Sequence, residues 1–425
     1  MDEPDRGPER RHGSRSEEIA AIVERKGGVV EVRDEADRYT VVGPERGTFA
    51  DWLTPIGEHY VCHRNLVPDI DAEEWSVSVA GPDGEATFDV ADLRESLPTV
   101  AVAHTMECAG NGRGQHVPET GSVQWGFEAA GTAFWTGTPL SSVLREVGVE
   151  GAGDRWLTMI GGDSLEEEVF ARSVPLGKAL DDCLLAFGMN GQPLPPEHGY
   201  PVRVVVPGWY GVNSVKWVEE LRVTDAMVTE GALDRPGSHA HWQQDTYRIH
   251  PEGADPGENE SVPEADTWAQ FESGDVEHPY TFDQTVTSVI GSPDGEAPVA
   301  PRGGTVEVLG VAWAGDDAVT RVDVSTDDGE TWAEASLFGP DYDCAWRLFR
   351  HAWDAAPGGH TLLSRATDER GRTQPATISQ DWERARAGEA FPWNEGGYAA
   401  NAYRPNGVRV TVEREDGDGR SAEAD

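Results

Sequence analysis

The stretch Thr99-Val-Ala-Val-Ala-His-Thr-Met-Glu-Cys-Ala-Gly-Asn-Gly-Arg-Gly114 decides how the rest of the chain is read. Val100 and Val102, with small alanines between them, predict a strand. That strand delivers one thiol, Cys108, and then breaks into Ala109-Gly-Asn-Gly112. A strand end holds a sulfur rigidly, and glycines let a bulky group approach the backbone closely. A thiolate is a soft ligand, suited to a soft or high-valent metal. A free cysteine is also a good small hydrophobe. The spacing by itself therefore leaves both roles for Cys108 open.

Outward from this loop, composition narrows the setting. The 425 residues leave room for about two or three domains. Net charge is −43, from 77 acidic against 34 basic residues. Only Lys26, Lys178 and Lys216 are lysines; every other basic residue is arginine. Acidic side chains hold water and salt cations, and lysine stems add apolar surface. This pattern predicts a protein adapted to a very salty cytosol. A chain this acidic is not built to bind nucleic acid or an anionic membrane surface. The four cysteines, Cys62, Cys108, Cys183 and Cys344, form no C-x-x-C pair, so neither a zinc site nor a disulfide framework is signalled. No apolar run has the length of a membrane span. Arg10-Arg11 is followed by the polar stretch Ser14 to Arg25, and a cytoplasmic location is expected.

The pattern divides the chain. Residues 1–45 form a charged extension, with a helix expected at Glu17–Lys26 and a strand at Val29–Val32. Residues 46–249 mix short strands and helices into an α+β domain. Trp75-Ser-Val-Ser-Val79 alternates like a strand, Gly81-Pro-Asp-Gly84 is turn chemistry, and Leu140–Val147 reads as a short helix. Pro201-Val-Arg-Val-Val-Val206 reads as a buried strand. Residues 250–280 read as an acidic linker. Residues 281–412 are all-β, with strands expected at Thr285–Ile290, Thr305–Ala312, Thr320–Ser325, Arg347–Trp353 and His360–Thr367, the texture of a β-sandwich. Residues 413–425 form an acidic tail.

Cys108-Ala-Gly-Asn111 followed by Arg113 resembles the Cys-Ala-Gly-Asn-Arg-Arg signature of the sulfite oxidase family of molybdenum enzymes. The similarity runs from about Tyr60 to about Val410. In the second half, Gly310-Val-Ala-Trp-Ala-Gly315, Asp328-Gly-Glu-Thr-Trp332, Arg365-Ala-Thr-Asp368 and Trp393-Asn394 fall in the order of the family's immunoglobulin-like dimerisation domain. The resemblance implies a molybdopterin-binding domain followed by an immunoglobulin-like β-sandwich, a molybdenum–molybdopterin cofactor and a homodimer. It points to a haloarchaeal-type member without a haem domain. It also implies oxygen-atom transfer with two electrons, and a separate electron-transfer partner. Reduction of an S-oxide, an N-oxide or nitrate would use the same parts. A metal-free two-domain binding protein is the alternative from another class, but it leaves Cys108, Asp163, Arg203 and Lys216 together unexplained.

The same resemblance assigns residues. Cys108 would be the metal ligand. His198-Gly-Tyr-Pro-Val-Arg203 and Gly211-Val-Asn-Ser-Val-Lys-Trp217 resemble segments that grip the pterin and its phosphate, through His198, Arg203, Ser214 and Lys216. Asp163 matches an aspartate beside the pterin, whose guanidine-like edge a carboxylate can accept. Trp125 and Tyr247 match positions that wall the substrate pocket. Tyr247 ends His241-Trp-Gln-Gln-Asp-Thr-Tyr247, with the aspartate displaced by one position. Arg113 keeps one pocket arginine. Gly112 and Gly396 stand where the family has two more. In Cys62-His-Arg-Asn65, either Cys62 or Arg64 takes the place of another, with Asn65 beside it as a cofactor contact. Each lost charged hydrogen bond is worth roughly 1.5–3 kcal/mol. These departures predict weak sulfite oxidation, a small oxyanion or S-/N-oxide as substrate, and improvement on Gly396→Arg.

The charge pattern makes a prediction of its own. Lowering salt from molar to about 0.1 M lengthens the Debye length from about 3 to 10 Å and exposes the repulsion among the acidic residues. The melting temperature is expected to fall steeply over that range. A melting temperature independent of salt would remove the salt-adaptation reading.

Overall fold

The computed structural model describes residues 14–34, 38–163, 169–228, 243, 246–250 and 279–414. The expected linker and acidic tail lie almost wholly outside the described residues. The strand quoted above runs Val100–Glu107, and Cys108 is the first residue beyond it. It pairs with Ala130–Pro139, which pairs in turn with Leu184–Met189. Gln192–Pro193 and Arg203–Val205 complete a five-stranded sheet. Leu184–Met189 is buried along its whole length, as a continuous apolar run requires. In the predicted strand over 201–206, only Arg203–Val205 carries ladder bonds, although the run is buried throughout.

A second five-stranded sheet has the order Gly84–Asp89, Ser76–Gly81, Val218–Thr224, Trp156–Gly161, Ala171–Pro175. Its first two strands form a hairpin across the predicted turn, with Gly81 opposite Gly84. Gly84 has a φ of +128°, which a side chain would resist. The helices Val90–Glu95, Leu140–Arg145 and Leu176–Asp181 share one core with both sheets, through residues such as Leu93, Val143, Leu157, Leu185 and Leu221.

The N-terminal region departs from its reading as an extension. Ser14 caps the helix Arg15–Lys26 in a capping box with Glu17, and Gly27 ends it in the left-handed conformation. Ile19 and Ile22 of this helix pack on Val29, Val42 and Val61. The strands Val29–Glu31, Thr40–Pro44 and Val61–His63 form one sheet. Burial of these aliphatic residues docks the segment onto the first domain, and Glu18 adds a contact to buried His63 at 2.9 Å.

The C-terminal half is a β-sandwich of two four-stranded sheets. One has the order Thr287–Ser292, Thr305–Trp313, Arg347–Asp354, Ser336–Phe338; the other Ala333–Glu334, Val319–Ser325, Gly358–Asp368, Val408–Val412. Inward residues Val308, Val322, Val324, Phe349, Leu362 and Val410 interdigitate between them. The five expected strands are present with ends displaced by one or two residues.

The two halves meet at the end of the Cys108 strand. Glu107 is 1% exposed, and its carboxyl accepts from Trp313 Nε1 at 2.9 Å and Asn111 Nδ2 at 3.0 Å. Burial pushes its pKa up to about 8, against the pull of both donors. Gln284 Nε2 donates to Thr105 O, and Trp346 N donates to Thr105 Oγ1. Trp313→Phe removes the indole donor and leaves one carboxyl oxygen short of its partner. The expected cost is about 1–3 kcal/mol, read as a lower urea midpoint at unchanged slope. An unshifted midpoint would show that this bond adds nothing to the junction.

Candidate functional site

Cys108 opens onto a cavity with about 870 Å³ of empty space including its mouth, a size within the usual range for small-molecule sites. Its backbone is pinned by Cys108 N to Ala129 O at 2.9 Å. The following turn is fixed by Asn111, whose side chain donates to Glu107 and accepts from Ala129 N at 3.1 Å. Cys62, on the strand Val61–His63, lines the same cavity. Cys62 is the largest influence lowering the Cys108 pKa; Arg113, the Gly110 N–H and Lys216 add to it, and burial opposes them. Cys62 is displaced upward by Cys108 and by burial. Sulfur at position 108 is thus held toward its anionic form.

The cavity wall beyond the sulfur is cationic. Arg203 is 1% exposed; its Nη1 donates to His198 O at 3.0 Å and its Nη2 to Ser214 O at 3.1 Å. Lys216 Nζ donates to Glu197 O at 2.8 Å and Cys62 O at 3.2 Å, and lies 3.3 Å from His63 Nδ1. Lys26 Nζ lies 3.0 Å from His198 Nε2. Burial pushes Lys216 down to about 7, with help from Arg203 and against the attraction of Cys62, Glu197 and Asp163. Burial also brings Lys26 down to about 8 and Arg203 to about 10. His59, His63 and His198 are pushed down by burial and stay neutral near pH 7. Cations held mainly by carbonyl oxygens in a buried wall are poised for an anion.

Asp163 faces the same space. Its Oδ2 accepts from Asn65 Nδ2 at 3.3 Å, while Oδ1 is buried with no hydrogen-bond partner among the described residues. Burial raises its pKa to about 6, and its own backbone N–H, Asn65 and Lys216 oppose this. A partnerless buried acceptor signals a missing donor. A pterin ring edge and its phosphate fit these residues: donors for Asp163 at one end, anionic oxygens for Arg203 and Lys216 at another, a soft metal for Cys108.

The structure sorts the sequence-predicted residues. Cys108, Arg64, Asp163, His198, Arg203, Ser214, Lys216 and Tyr247 all line this cavity, and Asn65 supports it through Asp163. Cys62 and Arg64 both line it, and it is Cys62 that most lowers the pKa of Cys108. Ser214 departs from its assigned part in one respect. Its Oγ accepts from Val206 N at 3.0 Å, so its hydroxyl is engaged with the backbone. Trp125 does not reach the wall. It is fully buried in the core behind Tyr60, ring centroids 6.1 Å apart, because its large apolar ring is better satisfied there. Arg113 is likewise set back. Its Nε donates to Gly396 O at 2.8 Å, its Nη1 donates to Val123 O at 3.0 Å, and the guanidinium lies 5.1 Å from the Tyr398 ring centre. Of the motif ending at Tyr247, residues 241, 242, 244 and 245 lie outside the described residues.

Sequence reasoning missed Arg172, Lys26 and Tyr39. Arg172 lines the cavity 1% exposed, over the Phe170 ring at 4.1 Å and the Tyr247 ring at 5.1 Å. An arginine within the short, wholly buried run Ala171–Val174 was the available signal. Lys26 was legible only as one of three lysines.

The glycines that replace family arginines are sterically committed. A Cβ on Gly396 would fall 2.1 Å from the Tyr398 ring. Gly112 has a φ of +81° and would place a Cβ 3.1 Å from Ala400. The expectation that Gly396→Arg restores an anion site is therefore corrected. The new side chain would displace Tyr398 and, with it, the platform of Arg113.

Comparison with known proteins agrees with this geometry. Residues 63–231 match the oxidoreductase molybdopterin binding domain, and residues 278–385 the Mo-co oxidoreductase dimerisation domain. The chain is 32% identical to human mitochondrial sulfite oxidase over 350 residues, covering 78% of this chain and 59% of that protein. The chain thus spans less than two thirds of that relative. It is 31% identical to sulfite oxidase of Gallus gallus over 346 residues, covering 78% of this chain and 70% of that one. The crystal structure of the sulfane dehydrogenase SoxCD from Paracoccus pantotrophus superposes with a TM-score of 0.69 at 26% identity, covering 97% of this chain and 95% of that one. The mixed α/β domain, its β-sandwich and the cysteine-bearing cavity make this chain a member of the sulfite oxidase family of molybdopterin oxidoreductases.

Proposed function

We propose that this protein transfers an oxygen atom and two electrons to or from a small sulfur- or nitrogen-containing oxyanion or oxide, at a molybdopterin held in the Cys108 cavity. The carrying observation is the convergence on one cavity of a thiol held toward its anionic form, a partnerless Asp163 oxygen and the cations Arg203 and Lys216. When bound, the cofactor supplies a molybdenum centre that exchanges oxygen and electrons with the substrate. Cys108 would ligate the metal. Arg203 and Lys216 would hold the phosphate, and Asp163 the pterin edge.

The chain's own residues then shape the substrate side. Burial holds the Tyr247 phenol above its ordinary pKa, so it stays protonated and can donate to a substrate oxygen. Arg64 and Arg172 bring positive charge to the wall, in place of an Arg113 engaged by backbone carbonyls. Aromatic side chains from Tyr39, Phe170 and Trp217 restrict water. An altered set of guanidinium groups supports a substrate other than a tightly held sulfite dianion. The reductive direction draws support from the 30% identity, over 353 residues, to a Phaseolus vulgaris protein named nitrate reductase. A homodimer through the β-sandwich, a separate electron partner and a salt-rich cytoplasmic setting complete the proposal. The match to a dimerisation domain and the −43 charge support the first and last of these.

Molybdenum and pterin analysis of the purified chain, followed by a panel of sulfite, S-oxide, N-oxide and nitrate, tests the function. Cys108→Ser is expected to lower turnover by orders of magnitude with the fold intact, since a protonated hydroxyl replaces a soft thiolate. Wild-type turnover of a molybdenum-loaded serine variant would refute the assignment. Gly396→Arg is expected to lower the melting temperature without improving sulfite turnover. A stable variant with a lower KM for sulfite would show that Tyr398 yields and the anion site is restored.

A further inference from the structure

The C-terminal end of the helix Arg15–Lys26 is fixed against the cavity wall residue by residue. Arg25 Nη2 pairs with Glu197 Oε2 at 2.9 Å, and Lys26 Nζ lies 3.0 Å from His198 Nε2. Lys26 Nζ also donates to Ile56 O. The approach is close. Gly27 ends the helix with a φ of +71°, and a Cβ on Gly57 would fall 2.7 Å from Lys26 O. The histidine is held as well. Its backbone N–H donates to Pro195 O at 3.0 Å, its carbonyl accepts from Arg203 Nη1 at 3.0 Å, and the His59 ring stands edge-on to it with centroids 5.2 Å apart. His198 is 2% exposed and lines the cavity. Lys26 lies outside residues 63–231, the stretch that matches the molybdopterin binding domain.

An ammonium has donors only, so a histidine nitrogen that meets it must accept. Burial holds His198 well below its ordinary pKa, so the ring is neutral and carries one proton. Burial brings Lys26 down to about 8, against the pull of Glu197, which leaves it mostly charged at neutral pH. With Nε2 accepting, the ring proton resides on Nδ1. No other hydrogen bond reaches the ring among the described residues. We propose that Lys26 is a cofactor-positioning residue: by occupying His198 Nε2 it fixes the Nδ1–H tautomer and makes His198 a hydrogen-bond donor to an anionic oxygen of the bound molybdopterin. The opposite tautomer would present a lone pair to that oxygen and repel it. Arg203 and Lys216 supply charge on the same wall. Lys26 supplies direction, through a neutral ring that adds no further positive charge. The cofactor half of the proposal rests on the reading of this cavity as a molybdopterin site; the tautomer does not.

The test reads the tautomer on the full chain prepared without cofactor and with isotope-labelled histidine. Long-range proton–nitrogen NMR correlations distinguish Nδ1–H from Nε2–H, and the His198 signals are identified by their loss in His198→Gln. Wild type is expected to show Nδ1–H. Lys26→Met, which keeps an apolar stem and removes the donors, should lose that preference, and Lys26→Arg, another donor-only cation, should keep it. Ile22→Ala loosens the packing of the same helix without touching the ammonium; it should lower the melting temperature and leave the tautomer unchanged. Chains loaded with molybdopterin then report retention. Pterin release, followed by fluorescence on dilution, should be about tenfold faster in Lys26→Met, the scale of one charged hydrogen bond, and at the wild-type rate in Ile22→Ala. Nε2–H in the wild type, or one tautomer shared by wild type and Lys26→Met, would overturn the proposal. The wild-type signal decides this even where a variant fails to fold. A tautomer switch with unchanged pterin release would also overturn it, since His198 would then not be donating to the cofactor. A chain that shows the switch and takes up no pterin would refute the reading of the cavity and leave the tautomer standing. The two readings therefore fail separately.

Discussion

The buried carboxyl of Glu107 is the constraint on which the rest of the site depends. It sits one residue before Cys108, receives the Asn111 amide from the glycine turn, and receives the Trp313 indole from the β-sandwich. One side chain thus sets the strand end, the turn and the seat of the second domain. Its raised pKa means that it is largely protonated at neutral pH. A full negative charge at that position would face the anionic character of the neighbouring sulfur. Burying the group as a neutral acid keeps the hydrogen bonds and limits that repulsion.

The electrostatics of the molecule invert between surface and cavity. The chain carries −43 overall, yet Arg64, Arg172, Arg203 and Lys216 gather on one internal wall, with Lys26 behind His198. Burial costs these cations solvation, and the depressed pKa values of Lys216 and Lys26 record that cost. An anionic ligand offsets it. The same argument explains why the neighbouring histidines stay neutral, since further positive charge would be unsupported.

Much of this was legible in the sequence because it rests on local rules. The Val-Ala alternation before Cys108, the turn at Gly81–Gly84 and the strands of the sandwich are set by period and turn chemistry. The cysteine, Asp163, His198, Arg203 and Lys216 were visible through motif resemblance. What stayed hidden depends on contacts between distant residues. The salt bridge of Arg25 with Glu197 and the approach of Lys26 to His198 each join residues 172 apart. Arg172 looks like any strand residue until its neighbours Phe170 and Tyr247 are placed around it. Trp125 and Arg113 carried family positions, but their final seats were decided by core packing and by carbonyls on other segments.

The helix Arg15–Lys26 has a consequence for the order of assembly. Its residues leave the ribosome early, but Glu197, His198 and Lys216 must exist before the wall they share with it can close. Contacts at such separation form late, because loop-closure entropy precedes any gain. The ion pair of Arg25 with Glu197 and the approach of Lys26 to His198 therefore wait on residues made much later. The N-terminal helix then braces that wall from behind, so the segment made first is among the last to find its seat.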